Sequence, residues 1–212
     1  VLIMPAAFYG GAQMQWLVAL AIVAALIIWR LVHLLWERRE APIQAFRHTV
    51  RDFAASAFVV IYLPLMTSFT ILLLREPNGA AWVITFVVTV SMIDTMGYLV
   101  GRKLGKHKLA PGVSPKKTWE GLVASITAGI ISSVVLTTIF FDFDWWAGLV
   151  LAALLLLSAV FGDLAESLIK RDLGVKDMSS ILPGHGGVMD RMDSILPSAL
   201  ITYLFMQFIT TF

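Results

Sequence analysis

The run WWAGLVLAALLLLSAV (Trp145–Val160) passes without a break into FGDLAESLIKRDLGVKDMSSILPGHGGVMDRMDS (Phe161–Ser194), and this junction sets the architecture of the chain. Its first part is uniformly apolar. Its second part gathers acids, bases, a histidine and glycines, in a chain of which only 14% of residues are charged. Ionisable groups placed at or beside membrane depth are energetically costly, which makes them functional candidates by default.

The spacing within the polar part is informative. If the apolar run is a helix that continues through Ile169, then Asp163, Glu166, Ser167 and Lys170 fall at i, i+3, i+4 and i+7, on one face. Asp190 and Asp193 are likewise three apart, at the start of the next apolar segment. Two acidic faces joined by a polar loop predict a carboxylate-lined pocket. Hard oxygen donors of this kind suit Mg²⁺, which binds through one or two carboxylates plus substrate phosphates. Lys170, Arg171, Lys176 and Arg191 supply cations for phosphate, arginine as a fork and lysine as a point charge. Gly184, Gly186 and Gly187 allow backbone to approach a ligand closely. His185, between glycines, could serve as metal ligand, general base or phosphate donor; beside oxygen ligands the phosphate role fits best.

Outward from this stretch, the composition agrees. The 212 residues are 58% hydrophobic, with a mean hydropathy of +0.83, whereas globular domains sit near 45–50% apolar. Several continuous apolar runs approach the roughly 20 residues that cross a bilayer. Continuous rather than alternating apolarity excludes a β-barrel. The fold class is therefore all-α: a polytopic integral membrane helical bundle with about six transmembrane helices. With no cysteine in the chain, disulfides, thiolate metal sites and cysteine nucleophiles are excluded. Nucleic acid is not expected as a partner. The chain opens on Val1 rather than Met, so further N-terminal spans are expected ahead of it, with Val1 to Tyr9 as the end of a previous one.

Spans are expected at about Met14–Trp36, Phe53–Leu74 (kinked at Pro64), Ala80–Val100, Trp119–Phe141, Trp145–Ile169 and Met192–Phe212. The basic segments 37–52, 101–118 and 170–191 then fall on one side of the membrane. The two opposite turns hold Arg75 as their only basic residue. By the positive-inside rule the rich loops face the cytoplasm, and the expected location is the bacterial plasma (inner) membrane. Residues 1–90 read as scaffold helices, and the polar constellations, with loops 101–118 and 170–191, fall within residues 91–212. Trp145, Trp146 and Phe143 mark an interfacial belt. The small-residue run Ala124, Ser125, Ala128, Gly129, Ser132, Ser133 reads as a helix-packing face.

A second polar constellation is Ser114-Pro115-Lys116-Lys117-Thr118-Trp119-Glu120-Gly121. Ser114 as N-cap and Pro115 at N1 predict a helix start there. Two lysines in a first turn oppose the helix macrodipole. Their placement makes sense if the helix end also binds an anion, and the plain alternative is a positive-inside signal. Asp94 lies inside an apolar helix, either paired with a neighbouring cation or part of the site. His33, His48 and His107 lack such surroundings and are expected at the solvent side or the interface.

The pattern Ser167-x-x-Lys170-Arg171, Lys176-Asp177-x-x-x-x-Leu182-Pro183-Gly184-His185-Gly186-Gly187, x-x-Asp190-Arg191-x-Asp193 resembles the signature of the phosphatidate cytidylyltransferases, without a gap over its 27 positions. The second constellation, following Asp94-Thr95-x-x-Tyr98, is similar to the same family, with Gly97 where members often carry alanine. The two patches extend the resemblance over about Ser91 to Phe212; before that only the hydropathy fits. The resemblance implies transfer of CMP from CTP to phosphatidic acid, a membrane lipid, with release of pyrophosphate. Asp163 and Asp190 are then the principal ligands of Mg²⁺ and of any second metal ion, with Asp193, Asp94 and Glu166 as secondary ones. Lys170, Arg171, Arg191, Lys116 and Lys117 hold phosphates, Ser167 and His185 assist, and Lys176, Gly186 and Gly187 line the substrate site. Homodimerisation is implied by the family alone. Two rivals stay open: a CTP-dependent enzyme with another lipid acceptor (an ether-lipid phosphate or a polyprenol), and an ion-coupled transporter, which predicts acids crossing the whole membrane.

Overall fold

A computed structural model describes residues 2–37, 61–110, 114–173 and 194–211. The chain forms two compact units, Val1–Arg75 and Glu76–Phe212. Among the described residues, four helices are long and apolar enough to cross a membrane, and two shorter apolar helices accompany them. The protein is an all-α polytopic membrane protein.

In the first unit, α1 (Ile3–Glu37) is interrupted at Gly11, whose φ of 70° and ψ of −165° leave the helical region. The break takes an N–H out of the regular ladder, and Arg75 Nη1 donates instead to Ala7 O at 3.1 Å. Glycine is required at this point twice over: its φ is left-handed, and a Cβ would stand 2.7 Å from Arg75 Nη1. Residues before Met14 are thus helical and joined to the expected span through this break. A π-helical turn, Ile61–Leu65, contains Pro64 and leads into α2 (Met66–Arg75). Proline removes a ladder donor, and the widened turn accommodates it, which is the irregularity expected at Pro64. Phe69 of α2 packs edge-on against Trp16 of α1.

The second unit contains α3 (Gly79–Leu104), α4 (Trp119–Phe141), α5 (Trp145–Leu173) and α6 (Ile195–Thr211). Lipid is as apolar as leucine, so these helices associate through close packing and polar links rather than through hydrophobic burial. The α3–α4 pair shows how. Gly97 faces Ser125, Gly101 faces Gly121 and Ile93 faces Gly129, so the residue numbers rise on one helix as they fall on the other and the pair is antiparallel. The small-residue face of α4 is therefore packed as its composition predicts: Ala128, Gly129 and Ser133 are buried, and Ser125 Oγ donates to Ile93 O at 2.8 Å.

The two ends of this bundle differ. At one end Trp82 is stacked on Phe141, with ring centroids 4.1 Å apart, and Phe143 and Phe205 close the cluster. Phe143 is thus a packing residue, whereas Trp145 and Trp146 are exposed, as an interfacial belt requires. Asp142, in the left-handed region, turns the chain from α4 into α5. At the other end lie the C-terminal parts of α3 and α5 and the N-terminal parts of α4 and α6. Large apolar side chains such as Ile131 and Ile139 are exposed along the helices, the surface of a protein whose solvent is hydrocarbon.

Candidate active site at the polar end of the bundle

The link between α3 and α4 is not a plain loop. β1 (Lys108–Ala110) and β2 (Ser114–Thr118) form a two-stranded antiparallel hairpin in which Lys108 faces Thr118 and Ala110 faces Ser114. This corrects the helix start expected at Ser114. The helix begins at Trp119, and its N-cap is Thr118, whose side chain accepts from Gly121 N at 3.2 Å. The residue before a proline favours extended backbone, and proline is tolerated where every strand is an edge, so Ser114-Pro115 starts a strand. Lys116 and Lys117 consequently lie in β2, outside the helix. The conflict with the macrodipole disappears: the charged residue of the first turn is Glu120, the sign that position prefers.

Glu120 also fastens the hairpin. Its carboxylate accepts from the backbone N–H of His107, with both oxygens at 3.3 Å, and Oε1 lies 2.8 Å from His107 Nδ1. Trp119 N donates to His107 O at 3.0 Å. His107 is exposed, as its sequence context predicts, yet it is held on three sides. Thr118 is wedged against α3: a Cβ on Gly101 would lie 3.1 Å from its Oγ1, and one on Gly105 2.7 Å from the same atom. Near the end of α3, Arg102 Nη1 donates to Tyr98 OH at 2.9 Å.

One contact joins the end of the opening polar stretch to the acid inside α3. Ser194, the residue after Asp193, donates from Oγ to Asp94 Oδ2 at 2.8 Å across 100 positions of sequence. Ser194 is 4% exposed. Below it, Ser198 Oγ donates to Ser194 O at 2.6 Å and meets Ser158 Oγ of α5 at 3.3 Å, and Thr202 Oγ1 donates to Ser198 O at 2.8 Å. Ser194, Ser198 and Thr202 recur every fourth residue, so one face of α6 carries a buried hydroxyl ladder that ties α6 to α3 and α5. The ladder also fixes a register. Ser198 lies opposite Ser158, so in an antiparallel pair Ser194, four residues earlier, is level with Gly162, four residues later. Asp94, Ser194 and position 163 therefore sit at about one depth.

The helical condition for the acidic face is met, since α5 continues to Leu173 and positions 163, 166, 167 and 170 are all helical. The side chains of Lys116, Asp163, Glu166, Ser167, Lys170 and Arg171 lie outside the described ones, as do Lys176, His185, Gly186, Gly187, Asp190, Arg191 and Asp193 altogether. Of the site residues expected from sequence, the structure thus gives side-chain positions for Asp94 and the half-buried Lys117. Among the described residues no three His, Cys, Asp or Glu side chains gather as a metal group. Sequence reasoning missed Ser194, Ser198, Ser158 and Glu120. A period-four stripe of hydroxyls in an otherwise apolar helix was the available signal for the first two.

A family model described as the cytidylyltransferase family matches residues 1–209. This chain belongs to the cytidylyltransferase family. Among relatives of this family member, the phosphatidate cytidylyltransferase of Mycobacterium tuberculosis is 43% identical over 153 residues, 72% of this chain and 47% of the relative. That of Mycobacterium leprae is 40% identical over 194 residues, 86% of this chain and 60% of the relative. That of Brucella abortus is 40% identical over 130 residues, 61% of this chain and 48% of the relative. The chain spans about half the length of most of these curated relatives.

Proposed function

We propose that this chain carries the catalytic region of a phosphatidate cytidylyltransferase, which transfers CMP from CTP to phosphatidic acid and yields CDP-diacylglycerol and pyrophosphate. The observation that carries the reading is the Ser194–Asp94 hydrogen bond. It joins Ser194, the residue that follows the Ser167–Asp193 signature in sequence, to Asp94 of the Asp94-x-x-x-Tyr98 segment, 100 positions away, and this supports a single site at one end of the bundle. The names of the relatives point the same way.

The chemistry asks for little covalent help. A phosphatidate oxygen, already anionic, attacks the α-phosphorus of CTP; the new P–O bond forms as the bond to the β-phosphate oxygen breaks and pyrophosphate leaves. No Ser-His-Asp or Cys-His arrangement is needed. The difficulty is to bring two anions together and to stabilise charge on the α-phosphate and the leaving group, which positioning and electrostatics supply. Lys116, Lys117, Lys170, Arg171 and Arg191 hold phosphates in this reading, with Ser167, Lys176, His185, Gly186 and Gly187 assisting. Asp163 and Asp190, with Asp94, Asp193 and Glu166, would hold Mg²⁺. The donor chemistry fits: carboxylates without thiolates, with Asp94 at the depth of position 163. A bound Mg²⁺ would supply charge neutralisation for the phosphates. The polar end faces the cytoplasm of a bacterial plasma membrane, so CTP arrives from water and phosphatidate laterally from the bilayer.

The test is a micelle assay with α-labelled CTP, phosphatidic acid and Mg²⁺, with and without EDTA. Metal-dependent transfer of label into the lipid phase is expected. Absence of lipid label from folded, full-length protein would overturn the reading. Ether-lipid phosphate and polyprenol in competition identify the preferred acceptor.

A further inference from the structure

We propose that Glu120, through its clasp on His107, is the positioning residue that holds the lysine-bearing hairpin in place for the triphosphate of the nucleotide; this rests on the CMP-transfer reading above. A carboxylate beside a site for a polyanion is unfavourable unless its charge is engaged elsewhere. Both oxygens of Glu120 are engaged. They accept from His107 N at 3.3 Å each, and Oε1 pairs with the imidazole at 2.8 Å.

The consequence is geometric. His107 immediately precedes β1, and Glu120 lies in the first turn of α4. The clasp, with Trp119 N donating to His107 O at 3.0 Å, extends the Lys108–Thr118 pairing into the helix. The hairpin root is therefore pinned on two sides, to α4 by Glu120 and to the end of α3 by the Thr118 wedge. Lys117 is one residue, and Lys116 two residues, from that root. A two-stranded hairpin is marginal by itself in water, so the placement of its lysines depends on these anchors. The surrounding Lys103, Lys106 and Lys108 are exposed and contribute a diffuse positive field; Glu120 contributes the fixed geometry.

The proposal separates from a purely electrostatic role, in which removing a negative charge near a triphosphate tightens binding. Steady-state kinetics of the full-length enzyme with CTP and phosphatidate micelles, together with trypsin cleavage rates after Lys108, Lys116 and Lys117, decide between them. Glu120→Ala is expected to raise KM for CTP about tenfold or more, the scale of a lost charge-assisted hydrogen bond. It should leave kcat within about twofold, the signature of lost binding rather than lost transition-state contact, and speed cleavage in the hairpin. Glu120→Gln keeps acceptors for the His107 N–H, and His107→Ala keeps that N–H; both are expected to raise KM by smaller factors. A KM that is unchanged or lower in Glu120→Ala or Glu120→Gln overturns the proposal, as does a loss confined to kcat. If Glu120→Ala does not fold, the two milder variants carry the same test. If wild-type protein transfers no CMP, the reaction reading has failed by itself. The clasp is then judged by proteolysis alone: faster cleavage in Glu120→Ala supports it and an unchanged rate overturns it.

Discussion

Gly97→Ala offers a sharp test of the α3–α4 crossing, because its sign is expected to depend on one other residue. A Cβ built on Gly97 collides with Ser125 Oγ, while the next atoms, Gly121 O and Ser125 Cβ, are at an ordinary 3.6 Å. Among the described residues the only obstacle is thus the hydroxyl, and Ser125 Oγ is held by its 2.8 Å bond to Ile93 O. In the wild-type background the alanine forces that oxygen away, forfeiting a hydrogen bond of about 0.5–1.5 kcal/mol and adding overpacking of about 1 kcal/mol or more. Against this stands the better helix propensity of alanine, about 0.8–1 kcal/mol. The net expectation is a loss of about 1 kcal/mol. In a Ser125→Ala background the obstacle is gone and only the propensity gain remains, so the same substitution should stabilise by up to about 1 kcal/mol. The double-mutant cycle should therefore show a coupling of about 2 kcal/mol, well beyond the about 0.5 kcal/mol within which independent sites add. Reversible unfolding of all four proteins in mixed micelles, followed by far-UV circular dichroism, measures it. Equal effects of Gly97→Ala in both backgrounds would refute the packing described for this crossing.

Other expectations follow from the same contacts. Gly121→Ala places a Cβ 2.8 Å from Gly97 O and Gly148→Ala one 2.5 Å from Val134 Cα. Neither backbone can step aside, so each should cost about 2 kcal/mol or more. Among the described residues Gly129→Ala meets only the Ile93 side chain, at 2.8 Å, and should unfold at a higher temperature than either. Gln15 is fully buried in α1, and among the described residues neither amide atom has a hydrogen-bond partner; Gln15→Met should raise the thermal midpoint, by about 1–2 kcal/mol of stability. Ser194→Ala removes the donor to Asp94 and should lower kcat about tenfold or more with a stability loss of only about 1–2 kcal/mol, and Ser194→Thr should restore part of the rate. Parallel kinetics and melting curves check this, and equal losses in both would make Ser194 merely structural. Asp163→Asn and Asp190→Asn should each lower activity most at limiting Mg²⁺; full activity there would remove them as ligands.

The sequence by itself determined the fold class and much of the helix plan. Continuous apolar runs admit only helices in a bilayer, because every backbone group must be satisfied within its own segment. The fourth helix accordingly occupies Trp119–Phe141 as expected, and the irregular turn falls at Pro64. The helix that the apolar run opens, α5, likewise continues through positions 163, 166, 167 and 170, whose helical spacing is legible from residue numbers alone. Local reasoning failed at Ser114-Pro115, where cap preference competed with strand pairing to Lys108–Ala110. Which cap prevails depends on a partner segment, and Thr118 had the further advantage of packing against Gly101 of α3 and Gly105, which caps it. Only the tertiary structure decided that Asp94 meets Ser194, that Glu120 grips His107, and that a ladder of hydroxyls sets the register of α6. The stripe of hydroxyls is periodic in the sequence, but the partners it meets on α3 and α5 are not. A hydrogen bond spanning 100 residues, such as Ser194 to Asp94, is fixed by how helices pack and not by any local propensity.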